Sequence, residues 1–191
     1  MMKQAAATEG NIEKGPLPPP VRRWRRLGGL FDLVLRLLAL SGTIAALITM
    51  ATADETLPIF TQLFQFEAKY SDLPAFTYFV IANAIAGGYL VLSLPVSIFN
   101  IVKPHFAAIR MFMVFFDTVM VAVVTSGAAA GAAIVYLAQK GNNHANWFAI
   151  CQQFDSFCQQ AGGALIASFA AVVFLMLLVA LSAINLYRRR A

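Results

Sequence analysis

The sequence predicts an all-α integral membrane protein, a four-helix transmembrane bundle with both termini cytosolic. Three observations carry that prediction. Hydrophobic residues make up 60% of the 191 positions and charged residues 12%, against roughly half and a quarter in soluble domains. The apolar residues gather into four runs, 30–53, 76–102, 110–138 and 162–187, each at least as long as the ~20 residues a helix needs to cross a bilayer core of about 30 Å. Finally, those runs sort the basic residues. Lys3, Lys14, Arg22, Arg23, Arg25, Arg26, Lys103, Arg110, Arg188, Arg189 and Arg190 fall on one side. The other side holds Lys69 and Lys140 against Asp54, Glu55, Glu67, Asp72 and Asp155.

Each run reads as a helix because backbone groups in lipid must be bonded within their own segment. A soluble core is excluded, since buried helices do not stay apolar all round for such lengths. The charge bias places the tails 1–29 and 188–191 and the loop 103–109 in the cytosol, and the loops 54–75 and 139–161 outside. The net charge of +5 therefore reports orientation and attraction to anionic inner-leaflet lipids; no nucleic-acid partner is expected. Within the first tail, residues 1–26 read as a mobile segment. "GPLPPP" is extended and polyproline-like, and "RRWRR" lies at the membrane surface with Trp24 in the interfacial belt. The "ATA" before Asp54 resembles a signal-peptidase site, but the long tail and Arg36 inside the apolar run favour an uncleaved first span.

The spans follow in order. The first carries Asp32 and Arg36, one helical turn apart. The second contains Gly87 and Gly88, then Pro95 near its cytosolic end, where a kink is tolerated. The third contains "SGAAAGAA", with Gly127 and Gly131 in G-x-x-x-G spacing, and the fourth opens with Gly162 and Gly163. Small residues let helix backbones approach where lipid offers no hydrophobic push. Packing inside the bundle is the expectation, with a dimer face the alternative.

A charge in hydrocarbon costs about 2.5–3.5 kcal/mol on insertion scales, so Arg36 and Asp117 need partners. Counting at ~1.5 Å per residue from the cytosolic ends of two parallel spans puts both roughly 9–10 Å deep. The expectation is an interhelical ion pair of Arg36 with Asp117, fixing the register of spans one and three. Asp32, four residues before Arg36, is a competing partner. The alternative function these charges suggest is a small four-helix transporter or channel subunit.

Of the outer loops, the second holds the only two cysteines, Cys151 and Cys158. Two cysteines in a short exoplasmic loop point to a disulfide. On a straight helix they would sit about 10 Å apart, beyond the ~7 Å limit between Cα atoms, so a bond needs the loop to turn. Free thiols and intermolecular bridges are the alternatives. His105 and His144 lie on opposite sides of the membrane, so no metal site is expected; no cofactor, nucleophile–base pair or carboxylate dyad suggests catalysis.

The first outer loop is rich in large apolar side chains. Taken as a helix from Leu57 to Tyr70, it gathers Thr61, Gln62, Gln65 and Lys69 in one arc, with Leu57, Ile59, Phe60, Leu63, Phe64, Phe66 and Tyr70 over most of the rest. Pro58 suits a first turn, and Pro74 marks re-entry into the membrane. Such a surface belongs on the bilayer interface or on another protein.

The segments "ETLPIFTQLFQFEAKYSDLPAF", "TYFVIANAIAGGYLVLSLP", "FFDTVMVAVVTSGAAAGAAIVYLA" and "HANWFAICQQFDSFCQQ" strongly resemble the Casparian strip membrane domain proteins of land plants, wider relatives of the four-span MARVEL proteins. The resemblance covers about residues 28–187. It implies a plasma-membrane scaffold of root endodermal cells that gathers into a belt and positions secreted wall enzymes such as peroxidases. Lignin deposited there forms an apoplastic diffusion barrier. It implies homo-oligomers and hetero-oligomers with related members, and membrane lipids as partners. The family's intramembrane arginine and aspartate fall on Arg36 and Asp117. Its first-loop signature falls on Glu55, Thr56, Leu57, Pro58, Phe60, Phe64, Phe66, Tyr70, Asp72, Leu73 and Pro74, and its second-loop residues on Trp147, Cys151 and Cys158.

Overall fold

The structure is a computed structural model that describes residues 19–56, 67–69, 73–102, 107–142, 144, 149, 151 and 155–190. Four long helices run through it: α1 (Pro19–Ala51), α2 (Pro74–Val102), α3 (Ala107–Lys140) and α4 (Asp155–Arg190). Two short strands, β1 (Asp54–Thr56) and β2 (Glu67–Lys69), lie between α1 and α2. All four helices are long and apolar enough to cross a membrane. Neighbours in the chain pack side by side, and α4 closes the ring against α1. Helices α1 and α3 therefore face each other across one diagonal, and α2 and α4 across the other.

What faces outward settles the solvent. Leu92 and Ile166 are each 73% exposed and Phe112 65%, whereas Arg36 is 1% exposed and Asp117 0%. That arrangement is the reverse of a soluble bundle and suits hydrocarbon on the outside. Hydroxyls that face the lipid bond back to their own helix: Ser41 Oγ donates to the Leu38 carbonyl at 2.8 Å and Thr118 Oγ1 to that of Val114 at 2.8 Å. The chain is a multi-pass membrane protein.

The helices outrun the apolar runs at both ends. Pro19 and Pro20, read from sequence as part of an extended tail, sit in the first turn of α1. Their missing N–H groups cost nothing there, because first-turn donors have no intrahelical partner anyway. The "RRWRR" segment is thus continuous with the first span. Similarly, α4 begins at Asp155, before the apolar run at 162, with an acidic residue at the positive end of the helix dipole.

In the first outer loop the expected helix from Leu57 to Tyr70 is corrected over Glu67–Lys69, which form a strand. This strand pairs antiparallel with Asp54–Thr56, with Asp54 opposite Lys69, Ala68 opposite Glu55 and Glu67 opposite Thr56. The segment leaving α1 and the one approaching α2 run side by side, so each supplies the other's backbone partners without a helix. Leu57, Pro58, Ile59, Phe60, Thr61, Gln62, Leu63, Phe64, Gln65, Phe66, Tyr70 and Asp72 lie outside the described residues. Pro74 opens α2, and the Leu73 carbonyl accepts the Phe76 amide at 3.0 Å. At the far end of α3, Gly141 takes φ 69° and its amide reaches the Leu137 carbonyl at 2.8 Å, a left-handed stop that glycine adopts without a Cβ clash.

The interior is layered along the bundle axis. At the loop end lies an apolar layer of Met50, Phe76, Phe79, Val135, Phe157 and Leu165. A second apolar layer, toward the termini, comprises Ala39, Leu90, Met120, Val124, Val172 and Leu175. Between them Ser168 Oγ donates to Asn83 Oδ1 at 3.1 Å, and Asn83 Nδ2 to the Phe79 carbonyl at 2.9 Å. The Ser168–Asn83 bond crosses the α2–α4 diagonal. The bundle is narrow enough for such crossings because small residues line it. A Cβ added at Gly127 would stand 3.0 Å from the Ala82 Cβ, and one at Gly131 3.0 Å from Leu165 Cδ2. Both glycines of the G-x-x-x-G pair thus serve contacts within the bundle.

Candidate functional site

Below the second apolar layer, in the half of the bundle that carries the termini, all four helices contribute to one buried polar cluster. Arg36 projects from α1, Tyr89, Ser93 and Ser97 from α2, Asp117 from α3, and Asp32 and Ser182 from α1 and α4. The α2 members recur every four residues, so they share one helix face.

Arg36 forms the centre. Its Nη2 donates to Asp117 Oδ2 at 2.8 Å and its Nη1 to Asp117 Oδ1 at 3.1 Å, a two-pronged ion pair that spans the α1–α3 diagonal. The planar guanidinium matches the carboxylate fork, which a lysine would not. Nη1 also donates to Ser93 Oγ at 2.8 Å, and Nε to Asp32 Oδ2 at 3.3 Å. The competition between the two carboxylates is resolved by sharing: Asp117 takes the fork and Asp32 the remaining edge. Ser93 passes its own proton to the Leu90 carbonyl at 2.8 Å, so its oxygen is free to accept.

Each carboxylate has further donors. Tyr89 Oη donates to Asp117 Oδ1 at 2.7 Å. On Asp32, Ser97 Oγ donates to Oδ2 at 2.5 Å and Ser182 Oγ to Oδ1 at 3.4 Å. Asp117 and Asp32 thus each accept three hydrogen bonds. An ionised carboxylate out of water needs such compensation, since isolated ions there cost several kcal/mol each. The cluster fixes α1 to every other helix. It acts as a clasp.

An aromatic wall covers one side of this clasp. The Tyr89 and Phe116 rings stack with centroids 6.2 Å apart, and Phe112 and Phe115 close on Phe116 at 4.6 and 5.6 Å. A lipid-facing groove of about 360 Å³ between α2 and α3 runs along this wall, lined by Tyr89, Ser93, Ile109 and Phe112 among others.

At the opposite end, Cys151 and Cys158 form a disulfide with Cα atoms 5.7 Å apart. The obstacle of a straight helix does not arise, because α4 starts at Asp155 and only Cys158 lies on it. The Cys151 amide donates to the Ala138 carbonyl at 3.2 Å, tying the bridge to α3 as well. Phe157 sits edge-on to Phe76 at 5.9 Å. Of the first-loop signature, Glu55 and Thr56 lie in β1, Leu73 packs against the loop-end core and Pro74 begins α2. Trp147 falls outside the described residues. Among the described residues no three His, Cys, Asp or Glu side chains group as a metal site.

Sequence reasoning missed Tyr89, Ser97 and Ser182 as clasp members and gave Ser93 no partner. The four-residue recurrence of Tyr89, Ser93 and Ser97 was the available signal.

The comparisons place this architecture. Residues 25–174 match the Casparian strip membrane protein domain, a span that includes the Arg36–Asp117 pair and the disulfide. The chain belongs to the Casparian strip membrane protein family. It is 66% identical over 185 residues to Casparian strip membrane protein 1 of Picea glauca, covering 96% of this chain and 98% of the relative. Against Casparian strip membrane protein 1 of Pinus taeda the figure is 63% over 178 residues, covering 93% and 94%. Casparian strip membrane protein 2 of Panicum virgatum is 55% identical over 191 residues, covering 99% and 100%. No solved structure matches the chain. The Casparian strip family membership thus extends over nearly the whole molecule, the clasp and both ends of the bundle included.

Proposed function

We propose that this protein is a non-enzymatic plasma-membrane scaffold with both termini in the cytosol. It self-assembles, with its own copies and with related family members, into a restricted domain of root endodermal cells. There it organises the junction between membrane and wall, gathers secreted wall-modifying enzymes such as peroxidases, and directs localised lignin deposition. The resulting Casparian strip is an apoplastic diffusion barrier. The carrying observation is the identity of 66% over 96% of the chain to a Casparian strip membrane protein.

The geometry supports a structural use of the intramembrane charges. Arg36 donates from both prongs of its fork and from Nε, and each carboxylate accepts from three donors. Groups so engaged hold helices together and would have to break several bonds to pass an ion. Many weak lateral contacts between such rigid bundles give an immobile array, because multivalency compounds modest affinities.

Photobleaching of a fluorescent fusion in endodermal cells tests the proposal. A static belt that excludes other membrane proteins is expected; rapid recovery throughout the membrane overturns assembly. Replacing Phe60, Phe64 and Phe66 together by serine asks whether the first outer loop supplies the contacts, with a broken belt as the expected result.

A further inference from the structure

The antiparallel pairing of α1 with α4 brings two arginine clusters together. Gly42 lies against Ala171, where an added Cβ would meet the Ala171 Cβ at 3.0 Å. Asp32 meets Ser182 at 3.4 Å, and a Cβ on Gly28 would stand 3.5 Å from Asn185 Nδ2. Across these levels a step along α1 toward the N-terminus is answered by a step along α4 toward the C-terminus. Both helices continue past the last contact, α1 back to Pro19 and α4 on to Arg190. Extending the register sets Arg25 level with Arg188 and Arg23 level with Arg190. At ~1.5 Å per residue, Arg22, Arg23, Arg25 and Arg26 occupy a band roughly 3–9 Å beyond the Gly28–Asn185 contact, and Arg188, Arg189 and Arg190 one of about 4–8 Å.

The two bands coincide, and they coincide at headgroup height. The apolar runs of these helices, 30–53 and 162–187, stop at this end of the bundle, so every one of the seven arginines lies outside them. Neighbouring helix axes are ~8–10 Å apart, about one Debye length at physiological salt. Like charges so close repel, and the arrangement is relieved best by one counter-anion of high charge. A singly charged lipid would have to be recruited several times over, losing its freedom at each recruitment.

We propose that the α1–α4 end is a binding site for a membrane lipid whose headgroup carries several phosphates, with Arg22, Arg23, Arg25 and Arg26 as one arm and Arg188, Arg189 and Arg190 as the other. The site needs no lateral assembly of the protein, so it stands apart from the scaffold proposal.

The full chain carrying Trp147→Phe leaves Trp24, within the first arm, as the only tryptophan. In phosphatidylcholine nanodiscs, energy transfer from Trp24 to a dansyl-labelled lipid reads binding as the labelled fraction is raised. A bisphosphorylated phosphatidylinositol and phosphatidylserine are compared at matched total headgroup charge. Half-maximal transfer is expected at a charge fraction ~10-fold lower for the phosphoinositide. Changing Arg188, Arg189 and Arg190 to Gln should weaken its binding by roughly 100-fold, at about fivefold per arginine. Changing the four α1 arginines should weaken it at least as much.

Equal half-maximal charge fractions for the two lipids in the Trp147→Phe chain overturn the proposal, leaving only a diffuse surface field. That comparison involves no arginine variant, so it stands even if the substituted chains fail to fold. Retention of the phosphoinositide preference after neutralising either arm also overturns it.

Discussion

Removing the partner of Arg36 is the sharpest perturbation of the clasp. Asp117→Leu deletes the acceptor of two guanidinium bonds, at 2.8 and 3.1 Å, and of the Tyr89 hydroxyl at 2.7 Å. Arg36 keeps Ser93 and the Asp32 edge contact, but its charge remains buried at 1% exposure. Breaking a buried pair from one side costs about 3–5 kcal/mol, whereas replacing both partners with apolar residues of similar volume is close to neutral. Tyr89 has a fallback in the Met113 carbonyl at 3.3 Å, which argues for the lower end, about 3 kcal/mol or ~100-fold in the folding equilibrium. Arg36→Met alone should cost a similar amount, because it strands the Asp117 carboxylate. The double variant Arg36→Met/Asp117→Leu should lose about 1–2 kcal/mol, giving a coupling energy of roughly 4–5 kcal/mol. Reversible unfolding of purified protein by detergent titration in mixed micelles measures all four corners of the cycle. Additive single effects, with coupling below about 0.5 kcal/mol, would refute the reasoning.

Three further expectations follow from the same structure. Tyr89→Phe removes one neutral donor from Asp117 and should cost about 0.6–1.7 kcal/mol in the same titration, the average and the maximum found for hydrogen bonds between membrane helices. Gly42→Ala sets a Cβ 3.0 Å from the Ala171 Cβ and 3.1 Å from the Ala167 carbonyl oxygen, whereas nothing lies within 4 Å of one at Gly88. The first should therefore lose about 1–3 kcal/mol through overpacking, and Gly88→Ala should gain up to ~1 kcal/mol of helix propensity. Cys158→Ser opens the ring closed by a disulfide of sequence separation 7, worth about 2.5 kcal/mol by loop-closure entropy. Hydrogen exchange should quicken around Cys151 and the first turn of α4, with the clasp unaffected, and a non-reducing gel of the parent chain should show no disulfide-linked dimer.

How legible all this was differs from residue to residue. Span count rests on the length and greasiness of segments, which composition states directly. Helix ends do not, because once a segment leaves hydrocarbon its apolar periodicity stops even though the backbone goes on coiling. Arg22 to Arg26 and Gln159 to Gln160 lie in such extensions. Equal depth for Arg36 and Asp117 follows from counting, but counting leaves azimuth open, so it does not say that the pair crosses a diagonal. Hydroxyl residues were harder still. Ser41 and Ser93 both bond back to their own helix, yet one faces lipid and the other the clasp. Residue type alone does not separate them; only the alignment of Tyr89, Ser93 and Ser97 does. The β1–β2 ribbon left no trace in the sequence, because three-residue charged strands carry no alternation and their pairing is non-local.

The long reach of the clasp along the chain bears on biogenesis. Arg36 emerges from the ribosome with the first helix, while Asp117 lies 81 residues further on. Until the third helix is threaded into the bilayer, the nascent protein carries a cation in hydrocarbon that Asp32 and, once the second helix is in place, Ser93 engage without the two-pronged carboxylate, a situation that membranes tolerate poorly. A truncated or mis-threaded chain stays in that condition and so marks itself for quality control, whereas a finished one hides the mark in its own interior.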